Sequence, residues 1–436
     1  MQQSQKGFTL VEMLIVTVIF ILVIMAASSS FNVLLTQMAK LTKSEESNIE
    51  GVVGLEMLRH DLQQVGFGLP TAYLDPAPTY IEASVAPADD YNDAPSGVPR
   101  AVVAADNLPT GVEFEDTVDG VTYALLAGTD YLAAKGITLG MNDTAQRWTY
   151  VSLGVTPQLW QDAHLNLVKD KDQVVVIKKT VSNDKSTVSQ MIYDPDSPDT
   201  YWTTFVPAGL PPAFSPIMAQ EMFYIYGICT NDAGASAPCN ALSMPFNRSD
   251  YFVATPNAAD RVPTYCAPGT GILYKARVTH DEIATTGYAA GALQPMPLLD
   301  CVADMQVVYG WDLVDDDNVI DTWSAPNQKP DGTGLFGKQS GTASQTAVQA
   351  AIQSPEEVRA KLKIVKIYLL AQVGRRDRNY TFMGTDVAGQ PQRIRVGNLD
   401  ADGFVAHEYD LSAAQRNYRW KVYQLVVRPH NLESNQ

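Results

Sequence analysis

The stretch Lys6-Gly7-Phe8-Thr9-Leu10-Val11-Glu12 joins a short polar leader to an almost unbroken apolar run, Met13 to Ala27. The leader carries one positive charge, and Glu12 is the single acid of the apolar segment. A lone carboxylate in hydrocarbon costs a few kcal/mol and normally signals a function. The order of leader, glycine, aromatic residue and acid therefore indicates a specialised helix.

Two simpler interpretations of this segment are weaker. A secretory signal peptide needs small residues at a cleavage site after its apolar core, which the Ala-Ala-Ser-Ser-Ser sequence at 26–30 imitates. However, Glu12 would lie inside that core, and the helical pattern continues past the supposed cut. A plain membrane anchor is the second alternative, because 8–35 exceeds the roughly 20 residues that span a bilayer. An anchor has no use for a buried carboxylate.

The segment resembles the N-terminus of type IV prepilins and of the related pseudopilins of type II secretion. The resemblance implies that a prepilin peptidase cuts after Gly7 and that the new N-terminal residue, Phe8, is methylated. It also implies that Glu12 of an incoming subunit pairs with the amino group of its neighbour's Phe8, which sets the axial register. Residues 1–7 are then the leader, and 8–35 are the membrane-spanning helix that becomes the filament core.

The helical pattern continues well beyond the apolar run. One helix face carries apolar residues at three- and four-residue intervals: Leu55, Leu58, Leu62 and Val65. Asp61 belongs to the polar faces, and the glycines and proline of 66–70 end the helix. Residues 36–68 are thus the amphipathic second half of the helix. The resemblance to prepilins implies an α+β fold of the type IV pilin-like class, with this long N-terminal helix packed on an antiparallel β-sheet and, in this chain, a large inserted region.

The globular body, 69–436, contains clear strand signals after its first hundred residues. Short segments rich in β-branched and aromatic residues are Gln173 to Lys179, Glu221 to Cys229, Gly271 to Val278, Met305 to Leu313, Leu362 to Leu370 and Tyr418 to Arg428. The alternation changes phase within the fifth of these, which predicts a bulge. Ser344 to Gln353 favours a surface helix. Poor periodicity over 71–165 predicts loops and short strands, within a large insertion, 71–220, that decorates the core domain.

Composition excludes several classes of function. The chain has 436 residues, of which 46% are hydrophobic, and its formal net charge is −17. That charge argues against bulk attraction to nucleic acid or anionic lipid, and the basic group at 375–378 is expected to be a solvated loop. No Gly-x-Ser-x-Gly elbow, phosphate loop or dinucleotide fingerprint is found in the sequence. We therefore expect neither enzymatic activity nor a required cofactor.

Three further segments resemble the PilW family of minor pilins. They are the helix end, 57–68, the strand and acidic loop that begin at Asp304, and the last two long strands, 358–370 and 418–428. The resemblance implies a minor pilin that primes type IV pilus assembly in a tip complex with other minor pilins and a large tip protein. It also implies contacts with the major pilin, the prepilin peptidase and the inner-membrane assembly platform.

The same resemblance implies a location. Before assembly the helix lies in the inner membrane and the body in the periplasm; after assembly the chain is at the pilus tip on the cell surface. A J-like minor pseudopilin of a type II secretion system is the nearest alternative, because it shares the helix-end pattern. In a different class, the inserted region would be an adhesive or ligand-binding module that the pilin part displays.

Four cysteines lie in the body, and a periplasmic location would allow them to oxidise. Cys229 and Cys239 enclose a short loop, so pairing them has a small closure cost. That leaves Cys266 with Cys301. Two disulfides with this connectivity are expected.

An acidic loop follows the strand that begins at Asp304. The carboxylates that suit a calcium site are Asp312, Asp315, Asp317 and Asp321, since Ca²⁺ takes six to eight oxygen ligands. The loop lacks the glycine and the closing glutamate of an EF-hand. A bound Ca²⁺ and a solvated hairpin tip both remain open interpretations.

Overall fold

The computed structural model describes residues 10–181, 187–235, 238–258, 261–282, 287–326, 339–384, 389–398 and 405–432. The helices are α1 (Leu10–Gln64), α2 (Gln345–Gln353) and α3 (Pro355–Lys361), with short 3₁₀ turns at Ala88–Tyr91, Ile137–Leu139, Thr144–Gln146, Ala163–Leu165 and Pro212–Phe214. The strands in chain order are β1 (Val102–Ala105), β2 (Glu113–Asp116), β3 (Val121–Leu125), β4 (Tyr131–Gly136), β5 (Trp148–Ser152), β6 (Asp172–Val181), β7 (Thr187–Ile192), β8 (Thr203–Thr204), β9 (Met222–Thr230), β10 (Cys239–Ala241), β11 (Asn247–Pro256), β12 (Gly271–Val278), β13 (Asp281–Glu282), β14 (Leu293–Trp311), β15 (Thr322–Ser324), β16 (Gln339–Gly341), β17 (Leu362–Val373), β18 (Arg393–Asn398), β19 (Val405–Asp410) and β20 (Arg419–Val427).

Helix α1 is a single element of 55 residues, which confirms the predicted continuous helix. Each large apolar side chain described between Leu10 and Met25 is at least 48% exposed, so the first half of the helix leaves its apolar surface uncovered. Within the part of the chain that the structure describes, no helix is found that is long and apolar enough to cross a membrane. The predicted membrane segment, 8–35, extends over residues and side chains outside that part.

The second half of α1 lies against the body. The predicted apolar face is buried, with Leu55 at 8% exposure and Leu58, Leu62 and Val65 at zero. Gly54 packs directly on the larger sheet: a Cβ there would lie 2.2 Å from the carbonyl oxygen of Leu298 in β14. The helix backbone thus approaches the strand backbone directly, which only glycine permits. Its end is as predicted, since Gly66 (φ +81°) follows the helix in the left-handed region.

Two antiparallel sheets make up most of the body. The larger sheet has eleven strands in the order β1-β4-β11-β12-β14-β15-β16, with β3 on β11, β2 on β3, β17 on β14 and β20 on β17. The smaller sheet runs β5-β9-β6-β7, with β8 on β6. Strands β10 and β13 form a short ladder, and β18 and β19 form another. The mixed composition confirms the α+β class.

All six strands predicted from the sequence are present, as β6, β9, β12, the second half of β14, β17 and β20. The predicted bulge is also present: Gly310 faces Ile364 and Trp311 faces Leu362, so Lys363 is the extra residue. Helix α2 occupies the predicted surface-helix segment, with Ser344 as its N-cap.

The segment 71–220 differs from the predicted insertion. Strands β1 to β4 belong to the larger sheet, and β5 to β8 belong to the smaller sheet. Their apolar side chains join the same hydrophobic core as those of α1, β12 and β14. Every residue of β1 and of β4 is buried. Strands β1 and β4 are short and contain two alanines each, and alanine is not one of the β-branched and aromatic residues that mark the predicted strands.

Both predicted disulfides are confirmed. Cys229 pairs with Cys239 across a Cα–Cα distance of 6.0 Å, and Cys266 pairs with Cys301 across 5.1 Å. The first closes the end of β9 onto β10, and the second ties the loop before β12 to the centre of β14.

Candidate functional site

The candidate site is helix α1, whose two halves have different environments. At its N-terminus, Gly7 and Phe8 lie outside the described residues, and Glu12 lies in the helix with its side chain outside them. The predicted cleavage, methylation and charge-pair roles of these three residues stay predictions.

A buried ion pair fixes the second half of α1 to the larger sheet. Asp61 accepts short hydrogen bonds from Lys275 Nζ on β12 and from the Tyr251 hydroxyl on β11. These side chains are nearly inaccessible to water, since Asp61 is 5%, Lys275 3% and Tyr251 0% exposed. Tyr251 and Lys275 face each other in the β11–β12 register, so one helix carboxylate meets two adjacent strands.

The sequence assigns Asp61 to a helix face other than the apolar one, and the structure shows that it is nevertheless buried. The sequence could not reveal this burial, because the partners Tyr251 and Lys275 are ordinary polar residues within strands and nothing local marks them as contacts of the helix. Burial, together with the negative charge of Asp61, raises the pKa of Tyr251 well above its usual value, so the tyrosine remains a neutral donor. These three side chains together fix both the axial position and the rotation of α1 on the larger sheet.

A second buried network attaches the segment that follows α1. Six charged side chains, three acids and three bases, are each at most 8% exposed: Glu82, Asp93, Arg100, Lys135, Arg248 and Asp250. Lys135 Nζ lies 2.7 Å from Glu82 and 2.6 Å from Asp93. Arg248 donates a hydrogen bond to Glu82 at 2.9 Å and one to each carboxylate oxygen of Asp250 at 2.8 Å.

The charges within this network balance. Burial opposes the ionisation of Asp93, but Lys135 and Arg100 outweigh that effect and hold its pKa below the usual value. A buried charge is tolerated only when it is paired and hydrogen-bonded. The segment 80–100 is therefore held onto β4 and β11 as a fixed part of the body.

The acidic loop after β14 does not assemble the predicted calcium ligands. Asp312 accepts backbone N–H groups of Asp316 (3.0 Å) and Asn318 (2.7 Å), and Asp321 accepts two further backbone N–H groups. Asp317 caps Val319 N at 2.8 Å, and Asp315 is exposed. Among the described residues, no group of three or more histidine, cysteine or acidic side chains has the arrangement of a metal site. The oxygens of Asp312 and Asp321 instead close the loop.

One comparison with known families bears on the candidate site. The prokaryotic N-terminal methylation motif matches residues 2–28. The chain has the N-terminus of a type IV pilin-like prepilin. This match covers the apolar start of α1 and includes Gly7, Phe8 and Glu12.

The match bears on location and does not extend into the body. A methylation motif of this kind indicates export, followed by membrane anchoring or association with a pilus. Comparison with curated proteins and with solved structures finds no match.

Proposed function

We propose that this chain is a minor pilin of the PilW type that primes type IV pilus assembly and lies in the tip complex. The observation that carries the proposal is the division of α1 at about residue 53. A methylation motif and an uncovered apolar surface precede that point, and a helix face locked into the body follows it. Such a helix transmits the position of its N-terminal half rigidly to the whole body.

The size of the body supports a position at the end of a filament. The body contains an eleven-stranded sheet, on which the distal half of the helix packs, and a second sheet of five strands. A body of that size is easier to accommodate once at a tip than repeatedly along a closely packed shaft. The proposed role is assembly, and it requires no cofactor and no catalytic step.

Glu12 is the residue on which assembly is proposed to depend. In a filament its carboxylate would face the methylated amine of a neighbouring Phe8 in a low-dielectric core. An unpaired amine there would cost several kcal/mol before relaxation. Cleavage and membrane insertion need no such pair.

The test is Glu12→Ala in the native cell, with Glu45→Ala as a matched control in the same helix. The Glu12 variant should be processed and stable, should co-purify poorly with other pilins and should leave few surface pili. The control should behave like the wild type. Normal pilus number and normal partner recovery in Glu12→Ala would contradict the proposal.

Deleting the chain separates the two closest alternatives. Loss of surface pili is expected for a minor pilin. Loss of protein secretion with normal pili would instead favour a J-like pseudopilin of a type II secretion system.

A further inference from the structure

The smaller sheet carries a row of aromatic rings on one face, of which those of Trp148, Tyr150, Trp160 and Tyr224 are partly exposed and that of Tyr226 is buried. Trp148 and Tyr150 of β5 lie opposite Tyr226 and Tyr224 of β9 in the register of the two strands. Trp160 contacts Trp148 edge-on, with a ring-centroid distance of 5.0 Å, and donates its indole N–H to the Trp148 carbonyl oxygen at 2.7 Å. That bond fixes the outermost ring, so the row is a preformed apolar platform.

The row leads into a cavity of about 410 Å³ at the end of α1. Its walls come from the turn after the helix, from β6 and β7 of the smaller sheet, and from α3, and they include Phe67, Ile177, Lys179, Ser189, Tyr226 and Arg359. Phe67 contacts Tyr226 edge-on, with ring centroids 5.5 Å apart. The volume lies in the range of sites that hold small ligands.

Two cations line this cavity, and its described lining contains no acid. Lys179 lies over the Tyr224 ring at 5.0 Å. Arg359 is in the last turn of α3, where burial lowers its pKa from the usual value and only the more distant Glu356 opposes that effect. Neither cation has a carboxylate within ion-pair distance in the part of the chain that the structure covers, whereas the neighbouring Lys178 is paired with Glu221 at 2.6 Å.

The chain has 48 acidic residues against 31 basic ones, yet Lys179 and Arg359 both lie at this cavity without a carboxylate partner among the described residues. A partly buried arginine without a carboxylate is stabilised when a ligand supplies one. The ligand that fits must therefore bring negative charge to the cavity and flat apolar faces to the aromatic row.

We propose that the cavity and the aromatic row bind an oligosaccharide that carries carboxylate groups. The C–H faces of pyranose rings stack on aromatic side chains, and sugar carboxylates would meet Lys179 and Arg359. Single-stranded nucleic acid also stacks on aromatic rings, but it needs a positive groove along its whole backbone. Two cations on an acidic protein do not provide one. This proposal does not depend on the role of the chain in pilus assembly, because it concerns the body alone.

The test uses the full-length purified chain in mild detergent and isothermal titration with three probes. These are a pentamer of α-1,4-galacturonic acid, the neutral pentasaccharide maltopentaose and an oligo-dT strand. The acidic pentamer should bind, and the other two should bind at least about 10-fold more weakly, since one charge-assisted hydrogen bond contributes about that factor.

Three variants and one control locate the site. Lys179→Gln changes an exposed side chain and should weaken binding of the acidic pentamer about 10-fold without affecting the fold; Arg359→Gln should do the same. Lys169→Gln, which removes an exposed lysine outside the cavity, should bind like the wild type. Trp160→Leu should weaken the binding of the neutral and the acidic sugars by a similar factor.

Several results would overturn the proposal. One is the absence of binding to the acidic pentamer, and a second is tighter binding of oligo-dT. A third is equal binding by wild type and by Lys179→Gln, with thermal unfolding confirming that both are folded. Each of these outcomes leaves the Glu12 experiment unaffected.

Discussion

Removing the ammonium group of Lys275 should weaken the attachment of the second half of α1 to the body. The change is Lys275→Met, which keeps the length and apolar stem of the side chain. Asp61 would then be a buried carboxylate whose remaining strong donor is the Tyr251 hydroxyl. The free energy of unfolding should fall because that charge has lost its counterion.

The expected loss follows from the burial of the pair. Removing one partner of a buried ion pair costs about 3–5 kcal/mol. The hydrogen bond from Tyr251 to the charged oxygen remains and offsets part of this cost, so we expect about 3 kcal/mol. This is a large share of the roughly 5–15 kcal/mol that stabilises a typical domain. In the double variant Asp61→Asn/Lys275→Met the uncompensated charge is absent, and at least about 2 kcal/mol should return.

The assay is urea unfolding of the full-length chain in mild detergent, followed by tryptophan fluorescence. Hydrogen exchange should also show faster exchange of the amides at 53–65 in Lys275→Met. Lys421→Met, at an exposed position on β20, is the matched control and should change stability by less than about 0.5 kcal/mol. Two results would refute the reasoning. One is a free energy of unfolding for Lys275→Met within about 1 kcal/mol of the wild-type value, which is about one fifth of the stability of a weak domain. The other is a double variant that is as unstable as the single one.

Three further predictions concern the N-terminus, the helix contact and pH. Gly7→Arg should leave the precursor uncut, while mass spectrometry of the wild type should find methylated Phe8 at the mature N-terminus; an unmodified Met1 start would refute this. Gly54→Ala should destabilise the chain by about 1–3 kcal/mol, because the new Cβ overlaps a β14 carbonyl, although the same change in an open helix position stabilises by up to about 1 kcal/mol. A gain in unfolding free energy would show that this contact is loose. Burial lowers the pKa of His280 from 6.5 to about 3, with Arg277 contributing, so the folded chain keeps the imidazole neutral where the unfolded chain is protonated. Stability from this residue is therefore complete above pH 6.5 and is lost as pH falls toward 3, by roughly 1.4 kcal/mol per pH unit, and His280→Gln should flatten that part of the curve.

The sequence determined the elements whose signals are local. The methylation motif lies within 28 residues, the apolar face at Leu58 and Leu62 repeats every helical turn, and Gly66 marks the helix end. The strands rich in β-branched and aromatic residues, the bulge at Lys363 and the Cys229–Cys239 disulfide also depend on neighbours in the chain. In each case the partner residues are close enough in sequence for spacing alone to reveal them.

Only the tertiary structure decided the environment of polar residues and the membership of the sheets. Asp61 is buried and hydrogen-bonded because Tyr251 and Lys275, 190 and 214 residues away, contact it where the helix packs on the sheet. Strand β4 joins the larger sheet through β11, more than a hundred residues later, and brings Lys135 into a balanced charge network. The sequence around an acidic residue in a helix is the same whether its carboxylate is solvated by water or paired with a buried ammonium group. The physical reason is that burial and charge pairing are properties of the surroundings, which long-range strand pairing creates.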